Sequence, residues 1–146
     1  MNPETLSKYR SEVIEKFINC EMIISAIISQ HYFKNVNREF LLEVLYDESF
    51  SFGLQRRILE KIVPDLDKAK IHDLNRLNTI RNYFAHCNQQ FFEGPGITEG
   101  VVPDPRDVKK GIDFEVLYIE FIQKEPEVTI YLADIFKGLG GVLVRN

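Results

Sequence analysis

The chain has 146 residues, 45% of them apolar and 27% charged, a composition that supports one globular domain over residues 1–146. Its net charge of −4 argues against a broad electrostatic grip on nucleic acid, although it leaves room for a local basic cleft. No apolar run approaches the ~20 residues of a membrane span, no hydrophobic signal core opens the sequence, and the two cysteines and three histidines lack metal-ligand spacing; a cytoplasmic protein without metal or other cofactor is expected.

Asn2-Pro3-Glu4 has the order of a helix start: a capping Asn, Pro at the first helical position, then an acid in the first turn. Leu6, Tyr9, Val13, Phe17, Cys20, Ile24 and Ile27 follow at spacings of three and four and predict one amphipathic helix over residues 3–33. Its second half, MIISAII, is apolar nearly all round, as in a segment central to a bundle or shared with a second subunit. A second helix is expected over Asn37–Tyr46 with Phe40, Leu41, Val44 and Leu45 inward. Ser51 can cap a third, carrying Phe52, Ile58, Leu59 and Ile62 and stopped by Pro64. Asp65 or Asp67 can cap a fourth, running to about Asn88 and carrying Cys87.

The periodicity then fails. Residues 89–112, with EGPG, TEG and PDP, read as a long loop, within which a short hairpin through Ile97–Val102 is one option. Phe114, Leu117, Tyr118, Phe121 and Ile122 restore helical spacing. Glu125-Pro126-Glu127 is expected to restart the chain, and Val128, Tyr131, Leu132, Ile135, Leu139 and Val142 carry a last helix whose end Gly138, Gly140 and Gly141 weaken. The fold class is therefore all-α, a bundle of five or six helices.

The fourth helix carries the chemistry. At about 100° per residue from Ile71, residues Ile80, Phe84, Leu77, Leu74 and Ala85 fall at roughly 180°, 220°, 240°, 300° and 320°. Arg81 falls at roughly 280°, inside that apolar arc, and Asn78, Asn82 and His86 form a polar stripe at roughly 340°, 20° and 60°. A guanidinium cannot shed its charge, so Arg81 needs an internal partner, with Glu12, Glu15 or Glu21 as candidates, or a cleft that holds an anion. Arg81 and His86 stand about 140° apart, so one straight helix does not aim them at one spot. A distortion near His86, or a second copy of the helix across a two-fold axis, would join them. Asn82 and His86, four apart, can touch.

Arginine, a polar neighbour and histidine are the groups needed to cut RNA without a metal. The 2′-hydroxyl can attack the adjacent phosphate. His86 can move the proton as general base or acid, Arg81 can hold two phosphate oxygens and the charge of the transition state, and Asn82 can orient either partner.

RNYFAH (residues 81–86) resembles the R-x4–6-H motif of the HEPN superfamily, in which the residue after the Arg is often Asn, Asp or His. The stretch FSFGLQRRILEKIV and LNRLNTIRNYFAH is similar to the mannitol operon repressor group and related small defence-associated proteins; the overlap covers about residues 50–88. The resemblance implies an all-α bundle, commonly dimeric, with the motif at the dimer cleft. It implies a metal-independent endoribonuclease of toxin–antitoxin or antiviral defence type, with RNA as substrate and an antitoxin or regulatory protein as a further partner. It makes Arg81, Asn82 and His86 the catalytic residues; Asn78, from the polar stripe, and Tyr83 are separate candidate binding residues. A toxin branch carries a modifiable Tyr two positions after the His, where this chain has Asn88. Other members keep the motif for folding or nucleotide binding, or only scaffold partners, so a non-catalytic regulator is the alternative.

Blander roles stand beside these. His86 can cap helix-end carbonyls, and Arg81 can be a purely structural ion-pair partner. Arg56, Arg57, Lys61, Lys68 and Lys70 read first as a solvated face and second as a rim for RNA. Tyr83, Phe91 and Phe92 read first as packing residues.

Overall fold

In the computed structural model, which describes residues 2–47, 49–86, 101–104 and 107–143, the fold is all-α. Five α-helices appear among the described residues: α1 (Pro3–Phe33), α2 (Arg38–Phe40), α3 (Phe52–Ile62), α4 (Lys68–His86) and α5 (Phe114–Gly138). Capping fixes their starts. Asn2 Oδ1 accepts from the Thr5 amide at 2.7 Å, Asn37 Oδ1 from Phe40 at 3.0 Å, Ser51 Oγ from Leu54 at 3.3 Å and Asp67 Oδ1 from Ala69 at 2.9 Å. Each accepts from an amide in the first turn, before the regular helical ladder begins.

Three expectations are corrected. The chain after Phe40 runs on as a π-helix, Leu41–Leu45, in which Tyr46 N–H reaches back five residues to Leu41 at 2.8 Å. The wider turn keeps Leu41 and Leu45 buried but rotates Val44 out to 40% exposure, and Phe40 is only half-buried. The expected loop at 89–112 contains two antiparallel strands, β1 (Val101–Asp104) and β2 (Asp107–Asp113), with Val101 opposite Asp113 and a register shift at Pro103/Asp104. The option of a hairpin beginning at Ile97 lies partly outside the described residues, as do Cys87, Asn88, Phe91 and Phe92.

The third correction is Pro126, which does not restart the chain but lies inside α5. Leu117, Phe121, Glu125, Val128, Leu132 and Phe136 are buried at unbroken spacings of three and four, so one helix presents a single inward stripe on both sides of the proline. That burial outweighs the lost hydrogen bond and ring clash of a helical proline, about 3 kcal/mol. α5 ends where the glycines begin. Gly140, at φ 91°, adopts the left-handed conformation, and the Gly141 amide reaches back to Phe136 O at 3.0 Å. A Cβ on Gly141 would meet the Phe136 ring at 2.4 Å, so the turn needs glycine there.

The chain divides into two compact units, with α1, α4 and α5 contributing to both. The first comprises Met1–Phe17 and Leu74–Glu125. Its core is Leu6, Val13 and Phe17 of α1, Leu74, Leu77, Ile80 and Phe84 of α4, Ile112 of β2, and Phe114, Leu117 and Phe121 of α5. Phe84 and Phe114 meet edge-on at 5.0 Å. The second comprises Ile18–Asp73 and Pro126–Asn146. Cys20, Ile24, Ile27, Ile28, Leu41, Leu45, Leu59, Val128, Leu132 and Phe136 form its core. Polar contacts pin its connections. Gln30 Nε2 donates to Leu139 O at 3.2 Å, the Asp67 amide donates to Tyr131 Oη at 2.8 Å, and Gln55 Nε2 donates to Leu45 O at 3.3 Å. MIISAII is less enclosed than its composition suggests: Ile24, Ile27 and Ile28 are buried, but Met22 is 49% exposed.

Candidate active site

The motif occupies the last turns of α4, inside the first unit. Leu74, Leu77, Ile80 and Phe84 are fully buried, as the projected arc requires, while Ala85 is half-buried. Arg81 is half-buried within that arc. Its guanidinium lies 4.8 Å over the centre of the Phe17 ring, and one Nη donates to Asn78 Oδ1 at 2.7 Å. A cation over an aromatic face is worth roughly 0.5–2 kcal/mol, and the amide oxygen of Asn78, one turn back, fixes the plane of the fork. Arg81 and Asn78 are thus brought together.

His86 is exposed at the last residue of α4, and Asn82 is half-buried. No hydrogen bond joins Asn82 to His86 among the described residues. α4 remains α-helical through His86, so no described distortion turns the imidazole toward Arg81. Of the acids considered for Arg81, Glu12 accepts a hydrogen bond from Tyr118 Oη at 2.6 Å and Glu15 is exposed. Tyr83 is half-buried.

Three features of this surface had no clear sequence signal. Arg76 grips Glu120 with two hydrogen bonds, Nε to Oε1 at 2.8 Å and Nη2 to Oε2 at 2.9 Å, which raise the guanidinium pKa still further above its ordinary value. Tyr9 and Tyr118 stack at 3.8 Å and 5°, and the Glu12 hydrogen bond pushes the Tyr118 hydroxyl pKa up to about 12. Arg10, an exposed residue of α1, donates its Nε–H to the carbonyl of Phe84 at 3.1 Å. Each joins residues more than forty positions apart, and helical periodicity carries no information about such pairs.

Among the described residues no cluster of three or more His, Cys, Asp or Glu side chains could hold a metal, and no helix is long and apolar enough to cross a membrane. No family model matches the chain, and neither a curated protein nor a solved structure matches it.

Proposed function

We propose that the chain is a HEPN-type, metal-independent endoribonuclease of a defence or toxin–antitoxin system, acting as a homodimer in the cytoplasm. The observation that supports this reading most is Arg81. A half-buried guanidinium held by Asn78 and the Phe17 ring is preorganised to receive an anion, and an exposed imidazole lies five residues further on. In this mechanism Arg81 binds the scissile phosphate and stabilises the charge of its transition state. His86 takes the proton of the attacking 2′-hydroxyl or supplies one to the leaving 5′-oxygen. Asn82 orients the phosphate or the imidazole, and Asn78 holds Arg81. Within one chain Arg81 and His86 diverge around α4, so the site requires His86 of a second copy, brought in across a two-fold axis.

The test is incubation with RNA in the presence of a chelator. Wild type is expected to cut, leaving 2′,3′-cyclic phosphate ends, while Arg81→Ala and His86→Ala lose at least ~10²-fold in rate. Equal cleavage by all three proteins, or none by any, sinks the reading. The net charge of −4 favours a second one, a HEPN-like regulator or partner-binding module without catalysis. A folded Arg81→Ala protein that keeps its full biological effect supports that alternative.

A further inference from the structure

We propose that Arg10 is a second RNA-phosphate contact, extending the anion site of Arg81 toward the end of α4; this rests on the ribonuclease reading above. Arg10 and Phe17 lie seven residues apart on α1, two turns, and therefore on nearly the same face of that helix. Both address α4. Phe17 lies beneath the guanidinium of Arg81, and Arg10 reaches the carbonyl of Phe84 at 3.1 Å. The α1 backbone positions that support the two guanidinium groups are thus separated by about 10 Å along one seam between α1 and α4.

The bond from Arg10 to Phe84 has a structural use. The last carbonyls of a helix lack an intrahelical donor, and a cation there suits the helix dipole. That bond uses only Nε–H. The four N–H donors on the two Nη atoms have no acceptor among the described residues, and Arg10 is exposed. Anchoring by Nε restrains the fork while its phosphate-binding edge meets no acceptor among the described residues, which reduces the entropy lost when a phosphate docks. A phosphate next to the one held by Arg81 is the ligand this arrangement fits.

The test uses the His86→Ala protein, so that a short single-stranded RNA is bound without being cut, in chelator and over a range of salt concentrations. Arg10→Gln keeps a donor for the Phe84 carbonyl but removes the charge. It is expected to weaken binding several-fold at low salt and to lower the slope of log affinity against log salt by about 0.7, the loss of one phosphate contact on a single strand. Parallel salt lines for the Arg10→Gln and parent proteins would overturn the proposal and reduce Arg10 to a cap. A second measurement needs no substitution at Arg10. RNA is expected to slow phenylglyoxal modification of Arg10 several-fold while leaving exposed Arg38 unaffected; equal rates at Arg10 with and without RNA count against the proposal. Wild-type protein that neither binds nor cuts RNA removes the ribonuclease reading and this one together, whereas cleavage with an unaltered Arg10→Gln salt slope removes only this one.

Discussion

A guanidinium drawn out of water keeps its charge, so an inward-facing arginine must find a polar or π partner. Arg81 has Asn78 and the Phe17 ring, and Arg76 has both carboxylate oxygens of Glu120. The need for a partner was legible from the position of Arg81 in the apolar arc. Phe17 as the partner was not, because a ring at a core spacing reads simply as core. The neighbouring tyrosine pair gives a residue-scale prediction. The hydrogen bond from Tyr118 to Glu12 raises the Tyr118 pKa from 10.0 to about 12. The folded state therefore holds this proton more tightly than the unfolded chain. The resulting stability is fully present below pH 10 and is lost as pH rises toward 12. Tyr118→Phe should lower stability by about 1 kcal/mol at neutral pH. The gap in melting temperature between wild type and Tyr118→Phe should close between about pH 10 and pH 12. A gap that stays constant across that range would show that the hydroxyl proton is not the source.

Helix starts were legible because a cap is a local event: Asn2, Ser51 and Asp67 each precede an apolar period and each accepts an amide within three residues. The π-turn after Phe40 was not, since one extra residue per turn leaves composition unchanged while shifting the phase of the residues beyond it. Pro126 misled for the opposite reason. A strong local breaker was overruled by the stripe from Leu117 to Phe136, whose register is the same before and after it. α5 thus carries an exposed proline that opposes its own helix. Pro126→Ala restores an amide to the ladder and removes the ring's clash with the preceding turn. Stability should rise by about 1–3 kcal/mol in urea denaturation, with the m-value unchanged. No gain, or a loss, would mean that α5 is interrupted at this point.

At the scale of the molecule, the all-α class emerged from periodicity alone, but the contacts that shape the candidate site did not. Arg10 with Phe84 O and Tyr118 with Glu12 depend on which helices become neighbours, and a single period does not encode that. The projection puts Arg81 and His86 about 140° apart, and α4 stays regular through His86. A shared site built from two chains therefore has a consequence that a single-chain site lacks. In a dimer mixing Arg81→Ala with His86→Ala, one cleft receives both substitutions and the other receives neither. Each parent protein is expected to be inactive. Random exchange makes about half of the dimers mixed, each with one intact cleft of two, so the mixture should recover roughly a quarter of wild-type activity. The measurement is RNA cleavage in chelator after the two variants are unfolded and refolded together, with refolding of each alone as the control. A mixture no more active than its parents, from variants that dimerise normally, would show that no cleft combines Arg81 of one chain with His86 of the other.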